Sequence, residues 1–182
     1  MTKLKEIADI RSGIFLNSSP TGTISYLQMK DIMMDSPEKI SAMVEYKPRM
    51  ESNMLRRGDL LFAGKGTTYL CKIFNLDIKA VASTTLYAIR LHSDSISSEY
   101  LCWYLNLPNI VNEIKASQIG SSTPLIHKST LENIEIPIPD HNTQKKFVEI
   151  SELQKQEAHL LDAIAEKRTS IINQLLINEI NK

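Results

Sequence analysis

Leu55-Arg56-Arg57-Gly58-Asp59-Leu60-Leu61-Phe62-Ala63-Gly64-Lys65-Gly66 is the stretch on which the reading of this chain turns. Arg57-Gly58-Asp59 is a turn, and Leu60–Ala63 is a short apolar run of the kind that forms a buried strand. Gly64-Lys65-Gly66-Thr67-Thr68 is the next break in the pattern. The glycines superficially suggest a phosphate loop. That loop needs four residues between its glycines, then Lys and Ser or Thr, and a helix behind it. Here five residues separate Gly58 from Gly64, Lys65 precedes Gly66, and no helical pattern follows. A nucleotide site is therefore rejected. Gly64 and Gly66 suit a turn or a close backbone approach.

Working outward, Ile24–Leu27, Tyr69–Phe74, Ala80–Ala82 and Leu86–Leu91 read as further strands, rich in β-branched and aromatic residues. Leu4–Ile10 has apolar residues at helix-like spacing and stops at Gly13, so a helix is expected there. Asp31–Met54 is mixed. Ser97 and Ser98 are caps for a helix through Leu105, and Pro108 opens a second short helix through Ile114. Ile134–Pro139 alternates and carries prolines, which places it at a sheet edge. From Thr143 to Ile180 there is neither Gly nor Pro, and apolar residues recur throughout. This predicts one helix of about 57 Å at 1.5 Å per residue, too long to cover its apolar stripe against so small a globular part. The expected fold is α+β: a mixed-sheet globular domain over 1–140, then one long C-terminal helix over 141–182.

The 182 residues, 42% of them hydrophobic, suffice for one core. Lys+Arg and Asp+Glu are 21 each, which argues against a polybasic nucleic-acid binder. The zero is uneven: residues 47–90 carry eight basic and three acidic side chains, whereas 91–140 carry two basic and six acidic. The middle third is either solvated surface or a polyanion-facing patch. No apolar run is long enough for a membrane span and the N-terminus has no signal-peptide core, so a cytoplasmic protein is expected. Cys71 and Cys102, far apart in sequence, fit buried and inert thiols in a reducing compartment.

Catalytic signals are weak. His92, His127, His141 and His159 have no metal-ligand spacing, and neither a metal nor a cofactor is expected. Asp59 with Asp77 and Lys79 supplies the residue types of a Mg²⁺-dependent nuclease, a triplet that chance also produces. Nucleophile elbows and cofactor loops for methyl transfer are absent from the sequence. Three polar loops, 17–23, 64–69 and 117–123, offer Asn, Ser, Thr, Gln and Gly, types that hydrogen-bond base edges and phosphates. Taken singly, each loop is an ordinary solvent-exposed turn.

In order and spacing, several stretches together resemble the specificity subunits of type I restriction–modification systems. They are Leu4–Gly13, Tyr26-Leu27 with Asp31-Ile32, Leu55–Gly66, Ser98–Leu105, Gly120–Ser122, and Leu131–Pro139 followed by Gln144 and the long helix. Asp140 and Thr143 depart from the family pattern at the start of that helix. The resemblance spans essentially the whole chain. It implies a target-recognition domain without catalysis, which directs separate modification (methyltransferase) and restriction (endonuclease and translocase) subunits to double-stranded DNA. Family subunits usually carry two such domains joined by two antiparallel helices. One domain and one helix suggest a half-subunit that homodimerises through an antiparallel coiled coil and reads a two-part palindromic site.

On this reading Lys65, Lys72 and Lys128 contact phosphates, while Thr67, Thr68, Tyr69, Gln118, Ser121, Ser122 and Thr123 read bases. The nuclease, and a coiled-coil adaptor without DNA, are the alternatives. A helix seam with alternating steps of three and four runs through Phe147, Ile150, Gln154, Glu157, Leu161, Ile164, Arg168, Ile171, Leu175 and Asn178. In a parallel homodimer Glu157 meets Glu157 and Arg168 meets Arg168. In an antiparallel pair centred between Asp162 and Ala163, Leu161 meets Ile164, Ile150 meets Leu175, and Glu157 meets Arg168 twice. Both charges then gain a partner. Otherwise they simply point to water.

Overall fold

A computed structural model describes residues 1–34, 41–64, 69–116 and 126–180. It divides into two compact units, Met1–Gln144 and Lys145–Lys182. The first is mixed α and β, as expected. Its strands are β1 (Thr2–Lys3), β2 (Ala8–Ser12), β3 (Ile24–Leu27), β4 (Ala42–Val44), β5 (Leu60–Ala63), β6 (Cys71–Ile73), β7 (Ala80–Ala82), β8 (Leu86–Leu91) and β9 (Glu135–Ile136). The helices are α1 (Met29–Ile32), α2 (Ser98–Leu105), α3 (Pro108–Ala116), α4 (Lys128–Glu132) and α5 (His141–Ile180).

Three sheets result. An antiparallel sheet has the order β2-β8-β5-β6, a mixed sheet the order β4-β3-β7, and β1 pairs with β9. The quoted stretch sits at the heart of the first, because β5 is bracketed by β6 and β8. Successive strand side chains face opposite ways. Leu61 and Ala63 join Leu86 and Ala88 in one buried cluster with Leu27, Ala80 and Ala82 of the mixed sheet. Leu60, Phe62 and Ile89 are fully buried on the other face. The polar flank of the strand is fixed as tightly. Gly58 adopts φ 90°, which the tight turn requires and which favours glycine. Its N–H donates to the Phe74 carbonyl at 2.9 Å, while Ser98 Oγ donates to the Gly58 carbonyl at 2.8 Å. Asp59, 2% exposed, accepts from Arg90 Nε at 2.7 Å and Nη2 at 2.5 Å, and from the Arg56 N–H at 2.8 Å.

The helix expected over Leu4–Ile10 is replaced by a 3₁₀ turn, Leu4–Glu6, and the strand β2. Leu4, Ile7, Ala8 and Ile10 are all buried, so the apolar spacing was real. A turn followed by an alternating strand reproduces that spacing over seven residues, and the partner that decides the matter, β8, lies some eighty positions away. α2 is capped as expected, with Ser97 Oγ accepting from the Tyr100 N–H at 3.1 Å. The run Ile134–Pro139 yields a two-residue strand paired, among the described residues, with β1 alone.

The second unit belongs to α5, which is 40 residues long. Asp140 caps its start, accepting from the Thr143 N–H at 3.0 Å and Oγ1 at 2.7 Å. Those bonds hold the Asp140 carboxyl below its usual range. Gln144, 1% exposed, accepts from the Ser97 N–H at 2.9 Å and donates to the carbonyls of Ser95 and Pro139 at 2.8 Å each.

Candidate nucleic-acid interface

Two of the three polar loops expected to meet DNA are tied together at their ends. The Ile126 N–H donates to the Gly64 carbonyl at 2.9 Å, and Tyr87 Oη donates to the Ile126 carbonyl at 2.7 Å. Lys115 Nζ lies 5.3 Å from the centre of the Tyr69 ring. Gly64 and Tyr69 flank residues 65–68, while Lys115 and Ile126 stand on either side of 117–125. The ends of both stretches therefore lie side by side at one end of the β5–β8 ladder. Gly64 is required there, since a Cβ would sit 2.4 Å from the Tyr87 ring. Burial pushes the Tyr87 phenol above its ordinary pKa.

Of the expected DNA contacts, Lys65, Thr67, Thr68, Gln118, Ser121, Ser122 and Thr123 lie outside the described residues. Tyr69 stands at the tied ends. Lys72 and Lys128 are set apart. Lys72 is half-buried on β6, at one edge of the four-stranded sheet, while α4, with Lys128, packs on β2 at the other. Three strand spacings of about 4.8 Å separate those edges, roughly 14 Å. Lys128 also pairs with Glu132 at 3.3 Å, an exposed bond of little net strength.

Asn106 fixes the strand that follows Tyr69. Its Oδ1 accepts from the Cys71 N–H at 2.9 Å, and its Nδ2 donates to the Cys71 carbonyl at 2.8 Å. Cys71 is buried, and burial followed by its contact with Cys102 raises its thiol pKa. The two cysteines, distant in sequence, are neighbours in the fold.

A groove of about 300 Å³ lies beside the loop 17–23, lined by Phe15, Ser19, Glu45, Lys47 and Arg49 among others. Phe15 is 75% exposed. The Ser19 and Thr21 hydroxyls donate to Glu45 at 3.0 and 2.9 Å and lower its pKa. Phe15 was missed in the sequence because the short apolar run Ile14-Phe15-Leu16 is too brief to carry a periodic signal. The isolated bridge Ile14–Ser83, next to Phe15, and the bond from the Gly64 N–H to the Thr85 carbonyl link the groove's first residues and the tied loops to the same stretch, Ser83–Thr85.

The nuclease triplet is not assembled as a metal site. Both Asp59 oxygens are held by Arg90 and the Arg56 N–H, which leaves that buried carboxylate committed to structure. Among the described residues, no group of three His, Cys, Asp or Glu side chains is placed to hold a metal.

Along α5 the seam residues are exposed, from Phe147 at 41% to Leu175 at 63%; Ile150, Leu161, Ile164 and Ile171 lie between. Leu153, Leu160, Ile172 and Leu176 broaden the apolar surface. No helix of the described chain is long and apolar enough to cross a membrane.

The ends of two of the polar loops, Gly64 with Ile126 and Tyr69 with Lys115, thus meet at one end of the four-stranded sheet. The chain belongs to the family of type I restriction modification DNA specificity domains, whose pattern matches residues 1–182. It is 27% identical over 180 residues to the type I restriction enzyme MjaIX specificity subunit of Methanocaldococcus jannaschii, covering 90% of this chain and 41% of that protein. It is 25% identical to the MjaVIII specificity subunit of the same organism, over 99% of this chain and 46% of that one. The chain thus spans less than half the length of these relatives. The crystal structure of the HsdS subunit from Thermoanaerobacter tengcongensis shares the fold, with a TM-score of 0.67 at 23% identity, over 89% of this chain and 39% of the other.

Proposed function

We propose that this chain is the DNA-recognition subunit of a type I restriction–modification system, without catalysis of its own. Its role is to bring modification and restriction subunits to a two-part site on double-stranded DNA, in the cytoplasm. The family membership over the full 182 residues carries this reading. The tied loop ends support it, because base readout needs polar side chains held on a rigid frame. Lys65 contacts phosphate from one loop, while Thr67, Thr68 and Tyr69, with Gln118, Ser121, Ser122 and Thr123, face base edges. Lys72 and Lys128, on separate sheet edges, meet different backbone segments. Selection of bound duplexes from a random pool tests this. One motif should be enriched, and Tyr69→Ala should reduce or redirect that enrichment. Recovery of unselected sequence contradicts it.

The exposed stripe of α5 supports a homodimer. In the antiparallel register that pairs Leu161 with Ile164, Glu157 faces Arg168 at two symmetric positions. A parallel pair instead sets like charges together. Removing one partner of a buried ion pair costs about 3–5 kcal/mol, less where water reaches it. By sedimentation, Arg168→Glu should weaken the dimer, and adding Glu157→Arg should restore it. A double variant as impaired as the single one overturns the register.

A further inference from the structure

A second polar cleft, of about 440 Å³, runs along the outer edge of β2, lined by Lys5, Asp9, Arg11, Arg90, Lys128 and Glu132. Four of those six side chains are basic. Two basic groups already have partners inside the fold, Arg90 with Asp59 and Lys128 with Glu132. Arg11 is the anomaly. Its Nη1 donates to the Ser52 carbonyl, but Nε and Nη2 are buried without a hydrogen-bond partner among the described residues. A guanidinium has five donors, and buried donors left unpaired are costly. Desolvation first, and then the neighbouring Arg90, lower the Arg11 pKa, while Asp59 and Asp9 offset this only in part. Arg11 thus keeps two buried guanidinium nitrogens without a partner among the described residues, beside the Arg90 cation as well as the Asp59 and Asp9 carboxylates.

Chain connections link the cleft's lining to the tied loop ends. Lys128 follows Ile126, the residue bound to Gly64, by two positions. Ser12, at the end of β2, pairs with Tyr87, which holds Ile126. From Ser12 back to Ala8 the strand covers roughly 13 Å, at about 3.3 Å per residue.

We infer that the β2-edge cleft is a phosphate seat for the DNA backbone, in which Arg11 and Lys5 grip a phosphodiester and Lys128 exchanges Glu132 for it. This rests on the DNA-recognition reading and adds a sequence-independent contact to it. Arg11 is the fork, since its planar guanidinium suits a phosphate better than an ammonium does. Asp9 and Glu132 keep the empty cleft from being a strong general polyanion trap.

The test is a salt titration of duplex binding by the full chain, on both the selected motif and unrelated DNA. Lys5→Ala, an exposed change that spares the fold, should lower the slope of log affinity against log salt by about one, equally on both sequences. Arg11→Gln should do the same, with its thermal melt checked against wild type, and Arg11→Lys should recover part of the loss. Glu132→Gln, which frees Lys128, should tighten binding. If Lys5→Ala and Glu132→Gln both leave affinity and slope unchanged while wild type binds, the cleft is overturned and DNA recognition stands. A change in sequence preference without a change in slope also overturns it, since phosphate contacts do not read bases. If wild type shows no salt-dependent binding at all, the DNA reading fails and the cleft with it.

Discussion

The two units of this molecule satisfy themselves to different degrees. In Met1–Gln144, apolar side chains are buried in clusters, and Asp59 and Gln144 are buried polar groups with hydrogen-bond partners. In Lys145–Lys182, aliphatic side chains remain exposed along the whole helix, and its local pairs are surface pairs, Lys145–Glu149 and Lys155–Glu152. Exposed ion pairs of this kind contribute about 0.3–0.5 kcal/mol each. A long helix draws most of its stability from packing. The difference teaches that the first unit covers its own apolar side chains, while the second leaves an aliphatic stripe exposed.

Mutations that sever the two units' fates give the sharpest contrast. Phe62→Ala removes a fully buried ring between β6 and β8, and should cost about 3–5 kcal/mol in denaturant unfolding. Leu161→Ala, on the exposed stripe, should leave the unfolding of the first unit within about 0.5 kcal/mol and weaken self-association instead. Equal losses from both changes would erase the contrast.

Next comes the polar frame. Asp59→Ala strands Arg90, whose side chain is 20% exposed, and should destabilise by about 2–4 kcal/mol, short of the full cost of a sealed pair. The same change gives a second reading of the carboxylate. A structural Asp59 loses stability, whereas a nuclease would lose cleavage while keeping its melting temperature. Gln144→Ala removes three bonds at the start of α5 and should cost about 1–3 kcal/mol in the same assay.

The smallest effect is the cap. Asp140 is held below its usual pKa by Thr143, so its contribution is present above the unfolded-state value and is lost as pH falls through the folded one. Thermal melts at decreasing acidic pH should show wild type losing this increment, with Asp140→Asn falling less steeply over the same window. Parallel pH profiles would contradict the cap.

Much of this was legible in the sequence because it rested on local chemistry. Leu60–Ala63 is a strand because four apolar residues follow a turn that only a glycine at position 58 makes easily. α5 was legible because the chain from Thr143 to Ile180 contains no breaker. The error at Leu4–Ile10 came from a window too short to separate two periods, with β8 supplying the decision from far away. α4 was missed because Lys128–Glu132 is a single turn with one buried residue, Leu131. The candidate site was legible as residue types in loops. That Gly64 meets Ile126, and Tyr69 meets Lys115, is tertiary information no local pattern holds. Arg11 gave no signal either, since an arginine in an edge strand looks like solvated surface until its donors are counted.

The most direct test of the central claim is methylome sequencing of a host carrying the cognate modification subunits, with and without this chain. The account predicts that one two-part motif is methylated only when the chain is present, and that Tyr69→Ala with Lys115→Ala reduces or redirects that methylation. An unchanged methylome on removing the chain, with the modification subunits expressed, would contradict it.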